Sequence, residues 1–329
     1  MKKSAFFCPV ETLDRVYACG RRDQVAAVSS VYPHPITADN IEEHLARLKD
    51  IEAVFSTWGM PLLTEWQLDL LPELGAVFYA GGSVQSFAAP LLDRGIVVVS
   101  AWQAMAISVA EFCQAQIHLS LKGYFRNTLD CRASSGWINA YRGTGSYGRT
   151  VAILGAGAIG RRVIEFLRDS DIRILVFDPF LSDDAARQLG VEKASLSECF
   201  RKADVVSNHL ANKPETVKML NGLLFASMLE GATFINTGRG ATVDEGDLCT
   251  ILGARPDLTA LLDVTSSEPP EDDSPLYTRP NIHLSSHIAG SIGSDVLRMT
   301  DLCLEEFGRW DQGEPLKYAV SLEMLKAMA

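Results

Sequence analysis

The sequence contains no C-x-x-C pair, no internal repeat of fixed period and no low-complexity tract. Its seven cysteines (Cys8, Cys19, Cys113, Cys131, Cys199, Cys249 and Cys303) are odd in number and scattered. That argues against a disulfide framework or a zinc site and suits reduced thiols in cytosol; no metal is expected. Long hydrophobic runs are also missing. The longest apolar tract, Ala101–Leu121, is interrupted by Gln103, Glu111, Gln114, Gln116 and His118, so it does not read as a membrane span. Positive charge is in deficit: 30 Lys+Arg against 41 Asp+Glu leave a net charge of −11. Such a surface repels nucleic acid and anionic membranes, so neither is expected as a partner. Lys2-Lys3 before Ala5-Phe6-Phe7 mimics the start of a signal peptide, but Pro9 and Glu11 end the apolar stretch too early. Asp14 and Arg15 stand before Cys19 where a lipoprotein cleavage site needs apolar residues. A cytoplasmic location is expected.

What is present is ordinary globular composition over 329 residues, with 47% hydrophobic and 22% charged positions. At roughly 150 residues per domain this length suggests two domains, each able to bury its own core. Short apolar runs alternate with helical spacing. Strands are predicted at Ala5–Pro9, Ala53–Thr57, Ala76–Ala80 and Ile96–Ser100, with helices at Ala38–Lys49 and Thr64–Leu71 between them. A long helix is predicted over Val109–Tyr124 and a polar loop over Asn127–Arg149. A second series has strands at Val151–Leu154, Arg173–Phe177, Val205–Asn208, Thr233–Asn236, Leu261–Val264 and Ile282–Ser285, then a helix over Ser294–Trp310. Strand–helix alternation of this kind implies α/β architecture with parallel sheets.

The strand Val151–Leu154 runs into Gly155-Ala156-Gly157-Ala158-Ile159-Gly160, and a helix and a second strand ending at Asp178 follow. In this order a G-x-G-x-x-G carries physical meaning. Gly155 permits the tight turn, Gly157 lets backbone approach a pyrophosphate, and Gly160 lets helix pack on strand. Helix-terminal N–H groups then meet the phosphates. Asp178 stands where a carboxylate accepts ribose hydroxyls and repels a 2′-phosphate. Pro179-Phe180-Leu181 offers no compensating cation, so NAD is favoured over NADP. Ligands in open parallel sheets gather outside the carboxyl ends of strands. Asn208-His209, Asn236-Thr237-Gly238-Arg239, Asp263 and Ser286-His287 all fall there, with Glu268 a few residues after Asp263. An Arg, a Glu and a His converging near a nicotinamide would suffice for hydride transfer to a carbonyl.

The chain resembles the D-isomer-specific 2-hydroxyacid dehydrogenases, the family of phosphoglycerate, D-lactate and glyoxylate/hydroxypyruvate enzymes. The resemblance rests on several blocks in register over roughly residues 74–310. They are Val109-Ala110-Glu111, Gly155–Gly160 with Asp178, Ile235–Gly240 through Val243-Asp244-Glu245, Asp263-Val264 to Glu268-Pro269, Ser274-Pro275-Leu276, and Pro280-Asn281-Ile282 to His287-Ile288-Ala289-Gly290. It implies two Rossmann-like, doubly wound parallel-sheet domains with a cleft between them. Residues 1–102 plus 291–329 would form a flavodoxin-like substrate-binding domain and 103–290 the NAD-binding domain.

The resemblance also implies roles. Arg239 would bind the carboxylate of a 2-oxoacid and polarise its carbonyl, since a planar guanidinium matches two oxygens. His287 would be the general acid in reduction and the base in oxidation. Glu268 would hydrogen-bond its imidazole, fix the tautomer and favour the imidazolium. Asp263 would hold the nicotinamide carboxamide, while His209, Thr237, Gly238 and Gly290 would line the cofactor. Backbone amides in Gly81-Gly82-Ser83 would receive the substrate carboxylate.

This chain departs from relatives around the substrate. It has Val84-Gln85-Ser86 where Asp-Asn is common, Ala101-Trp102-Gln103-Ala104 where Asn-x-Pro-Gly is common, and Ala211 in place of a proline after His209. The expected activity is NAD-dependent interconversion of a 2-oxoacid and a D-2-hydroxyacid, the acid itself being open. The resemblance implies a homodimer. An alternative is an NAD(H)-binding sensor or corepressor-like protein with little turnover.

Overall fold

The computed structural model describes residues 1–327. Its chain forms two compact units, Met1–Met105 with Ser291–Ala329, and Ala106–Gly290.

The first unit holds β1 (Lys3–Phe7), β2 (Ser30–Val31), β3 (Ala53–Ser56), β4 (Ala76–Tyr79) and β5 (Val97–Ser100), all parallel, in the order β2-β1-β3-β4-β5. Both sheet faces are apolar, because alternate residues of each strand point to opposite sides. Ala5, Phe7, Val54, Val77, Tyr79 and Val98 pack with Ile41, Leu45 and Leu48 of the helix Ile41–Leu48 on one face. Phe6, Phe55, Phe78 and Val99 pack on the other, against Val296, Met299, Cys303 and Phe307 of the helix Val296–Asp311. The rings of Phe307 and Phe55 lie 5.2 Å apart. The chain beyond that helix returns to the sheet, Val99 bridging Ala319 antiparallel. Glu306, fully buried, secures the return by accepting the backbone N–H groups of Lys317 and Tyr318, each at 2.9 Å.

The second unit holds β6 (Thr150–Leu154), β7 (Arg173–Phe177), β8 (Glu192–Lys193), β9 (Val205–Asn208), β10 (Thr233–Asn236), β11 (Thr259–Leu262) and β12 (Ile282–Leu284). The sheet is again all parallel, in the order β12-β11-β10-β9-β6-β7-β8. It is doubly wound: the chain runs outward from β6 to β8, then crosses back to β9 and runs outward the other way. The switch point therefore lies between β6 and β9, where ligands of such sheets collect. Val151, Ile153 and Ile235 face the helix Trp102–Leu121, and Ala152, Leu154 and Phe234 face Phe200 and Phe225.

Several predicted boundaries move. The long helix begins at Trp102 rather than Val109 and ends at Leu121. The segment 127–149, predicted as loop, contains part of the helix Tyr124–Asp130 and all of Ser134–Trp137. Helices at Val10–Val16 and Arg21–Val28 and the short strands β2 and β8 were not anticipated. No helix among the described residues is long and apolar enough to cross a membrane.

Candidate active site

The glycine-rich turn leaves β6 and enters the helix Ala158–Leu167. Gly155 sits at φ +93°, and a Cβ there would lie 2.9 Å from the His209 carbonyl oxygen. Only glycine suits both the left-handed backbone and this approach of the β6 and β9 loops. A Cβ on Gly160 would meet the Gly155 carbonyl oxygen at 2.0 Å, so helix and turn touch through bare backbone. At Gly157 a Cβ would meet nothing within 4 Å, and this residue caps the helix without any side-chain hydrogen bond. The turn thus offers open space in front of uncapped helical N–H groups, which is the environment a pyrophosphate requires.

Asp178, at the end of β7, closes the turn from the side. Its Oδ2 accepts the Ala156 N–H at 2.7 Å and its Oδ1 the Phe180 N–H at 2.7 Å. Each oxygen keeps a lone pair for a ribose hydroxyl. The dinucleotide therefore fits this turn by backbone shape and by donor and acceptor chemistry alike. One feature was missed in sequence: the Lys213 ammonium lies 5.7 Å from the centre of the exposed Phe180 ring, placing a cation two residues from Asp178.

The adjacent strands β10, β11 and β12 deliver the other candidates at one edge of the sheet. Arg239 follows β10, Asp263 and Glu268 follow β11, and His287 follows β12. His287 Nδ1 and Glu268 Oε2 are 2.8 Å apart, with the two side chains 52% and 42% exposed. Both are solvent-reachable. Arg239 is half-buried. Its Nη1 donates to the Gly238 carbonyl at 2.7 Å, and it has no carboxylate partner among the described residues. A Cβ on the next residue, Gly240, would lie 1.9 Å from the Thr265 carbonyl carbon. Glycine there lets the loop carrying Arg239 press against the loop carrying Glu268.

Asp263 is buried, and its carboxylate accepts Ser285 Oγ at 2.6 Å and the N–H groups of Ile288 and Ala289 at 2.9 Å each. Behind the loops, Asn208 Nδ2 donates to Asn236 Oδ1 and to Thr242 Oγ1, both at 2.9 Å. The two asparagines are register partners on β9 and β10, a pairing that sequence spacing cannot reveal. The Gly238 N–H reaches the same Asn236 oxygen at 3.1 Å. His209 Nε2 lies 2.9 Å from Ser207 Oγ, and its Nδ1 lies 3.4 Å from Thr237 Oγ1. Desolvation pushes its imidazole down to about 4, so the ring is neutral at neutral pH. Thr237 also meets Cys113 Sγ at 3.2 Å, where burial pushes the thiol up to about 12. His283 precedes His287 by four residues, but it lies in β12 with its ring 5.2 Å from Phe125. No cluster of three or more His, Cys, Asp or Glu suited to a metal occurs among the described residues.

In the first unit, Gly81-Gly82-Ser83 follows β4. A Cβ on Gly81 would strike the Tyr79 ring at 2.4 Å, and one on Gly82 the Met105 sulfur at 2.8 Å. Trp102 sets its ring edge-on to Tyr318, 6.5 Å away, and its buried indole N–H has no partner among the described residues.

A seven-stranded doubly wound sheet with a glycine-rich turn at its switch point defines a dinucleotide-binding protein of the Rossmann class. Residues 120–289 match the NAD binding domain of the D-isomer specific 2-hydroxyacid dehydrogenases, and the chain belongs to that family. It is 31% identical over 260 residues to a Bacillus subtilis protein described as a 2-hydroxyacid dehydrogenase, YoaD, covering 76% of this chain and 74% of that one. It is 28% identical over 234 residues to D-3-phosphoglycerate dehydrogenase of Archaeoglobus fulgidus, covering 71% of this chain. The chain spans less than half the length of such phosphoglycerate dehydrogenases, 44% of the Archaeoglobus protein and 43% of a Bacillus subtilis one. The D-mandelate dehydrogenase of Rhodotorula graminis shares the fold, with a TM-score of 0.80 at 20% identity over 97% of both chains.

Proposed function

We propose that this protein is an NAD-dependent oxidoreductase interconverting a small 2-oxoacid and a D-2-hydroxyacid. The observation that carries the reading is the exposed His287–Glu268 pair at 2.8 Å, on the loops beside an arginine that has no carboxylate partner among the described residues. A bound reduced nicotinamide would supply the hydride to the substrate's carbonyl carbon. His287 gives the proton to the carbonyl oxygen from Nε2 and takes it back in oxidation. Glu268, bonded to Nδ1, fixes which ring nitrogen faces the substrate and stabilises the ring when it is charged. Arg239 grips the carboxylate with its planar fork and draws electron density from the carbonyl. Gly82 and Ser83 receive the carboxylate on their backbone amides. Thr237, Gly238, Asp263, His209 and Gly290 border the nicotinamide end, and Gly155–Gly160 with Asp178 the phosphate and ribose end.

In this reading residues 1–102 with 291–329 bind substrate and 103–290 bind the dinucleotide. The protein acts as a homodimer: Trp137, Ile138 and Tyr147, 71%, 80% and 86% exposed, are apolar surface that association would cover. Sedimentation mass decides that point. A sensor without turnover is the weaker reading, because it leaves the His287–Glu268 pair with no task. The deciding experiment is a steady-state screen of glyoxylate, hydroxypyruvate, pyruvate, phenylpyruvate and 3-phosphohydroxypyruvate with NADH and NADPH. Reduction of at least one with NADH supports the reading; tight NADH binding without any reduction overturns it.

A further inference from the structure

Ser100 closes β5, is fully buried and sits in register beside Tyr79, the last residue of β4. Its Oγ lies 3.1 Å from the Gly81 carbonyl oxygen and 2.5 Å from that of Gly82. One hydroxyl thus gathers two successive carbonyls at a single buried point. A trans peptide unit points its C=O and the following N–H in opposite directions. Holding the Gly81 and Gly82 carbonyls inward therefore turns the N–H groups of Gly82 and Ser83 outward, side by side. The Gly81 N–H is already spent on the Tyr79 carbonyl at 2.9 Å. Those of Gly82 and Ser83 have no partner among the described residues, and Ser83 is exposed. Two adjacent outward amides form a concave pair of donors suited to an anion. Tyr79 and Met105 stand where Cβ atoms on Gly81 and Gly82 would have to be, so the loop in this conformation takes only glycine at both positions.

We propose that Ser100 is the positioning residue that aims this amide pair at the substrate carboxylate. The proposal rests on the reading of the protein as a 2-oxoacid reductase and adds a residue that touches no substrate. Without the hydroxyl the two carbonyls lose their common anchor, and the amides lose their shared direction while the chemistry of His287 stays intact.

The test compares wild type, Ser100→Ala and Ser100→Thr with glyoxylate and NADH. Ser100→Ala raises KM about 10–100-fold, the weight of a hydrogen bond to a charged group, while kcat and NADH affinity change little. Ser100→Thr, which keeps the hydroxyl, recovers most of the loss. A KM for Ser100→Ala within twofold of wild type overturns the proposal. A second measurement needs neither turnover nor a folded variant. In wild-type protein carrying ¹⁵N-glycine and ¹⁵N-serine, with NADH present, oxamate shifts the Gly82 and Ser83 amide signals. If they stay still, the amide pair takes no carboxylate and the proposal fails. If they move although no 2-oxoacid is reduced, the reductase reading alone falls, and weaker oxamate binding by Ser100→Ala than by Ser100→Thr then carries the proposal.

Discussion

His287 is tied to Asp263 through both backbone and side chain. Its N–H donates to the Asp263 carbonyl at 3.0 Å, while the Asp263 carboxylate holds Ser285 before it and Ile288 and Ala289 after it. His287 itself adopts φ +56°, in the left-handed region. Such a conformation persists where the surroundings over-determine it, and here one buried carboxylate does so. Asp263 thus has a structural task in addition to any contact with a nicotinamide.

Asp263→Ala leaves three donors without their acceptor. The expected outcome is a stability loss of about 2–4 kcal/mol in urea unfolding and a fall in kcat of about 10²-fold as His287 shifts. A variant of normal stability and normal kcat would show that the anchoring is idle.

His287→Ala should lower kcat about 10²–10⁴-fold, the usual range for a lost general acid, with NADH affinity near wild type. Arg239→Lys should raise KM and also slow the reaction, because an ammonium cannot reproduce the bidentate fork. Normal turnover by His287→Ala refutes its assignment as proton donor.

Glu268→Gln keeps a hydrogen-bonding side chain beside His287 but removes its charge. Turnover should fall about 10–10³-fold, with NADH affinity unaffected, because the charged ring loses its counter-ion. Equal kcat values for variant and wild type would mean that Glu268 is not the partner in catalysis.

Cofactor choice should follow the charges around the ribose. Asp178 opposes a 2′-phosphate, so NADH binds more tightly than NADPH, and Asp178→Ala narrows the gap. Lys213, near Phe180, acts in the other direction, so Lys213→Ala weakens NADPH more than NADH. Fluorescence titration of both nucleotides tests the pair of claims, and a wild type preferring NADPH would contradict the first.

Acid should destabilise the fold through His209. The unfolded chain takes up this proton near the ordinary value of 6.5, whereas the desolvated folded ring resists until about 4. Between those values the unfolded state binds more protons, so stability present above pH 6.5 is lost as pH falls toward 4. The limit is about 3 kcal/mol, reduced because His209 keeps some contact with solvent. Unfolding free energies at pH 7 and pH 5 should differ less in His209→Gln than in wild type; equal differences would exclude this origin.

The features legible in the sequence were those the backbone restricts to one residue type. Gly155 and Gly160 stand where any Cβ would collide, and Asp178 ends a strand at a fixed distance from them. The apolar runs of β3, β4, β6 and β9 were equally clear, since strands buried on both faces keep their few polar positions, such as Ser56 and Asn208, at their ends. The two-residue edge strands β2 and β8 have too few residues to show a period. The segment from Tyr124 to Trp137 hid its helices because they are short and rich in polar side chains, one of them entered through Gly123 at φ +70°. Lys213, Ser100 and the Asn208–Asn236 pair were missed for a common reason: each meets its partner across strands or loops, and chain spacing does not encode that meeting.

The helix Val296–Asp311 covers one face of the first unit's sheet, yet its residues follow the whole of the second unit in the chain. On a ribosome, Phe55 and Phe78 are therefore made long before the Phe307 that shields them. At about 5–20 residues per second, the intervening unit takes on the order of 10–40 s to appear. Throughout that interval the nascent first unit has this sheet face covered only in part, by Leu13, Val16, Tyr17 and Val25, while the second unit, contiguous in sequence, can close its own core. A stalled or truncated nascent chain released in this window exposes to chaperones, or to other chains, the part of the face that Val296, Met299 and Phe307 cover in the completed fold.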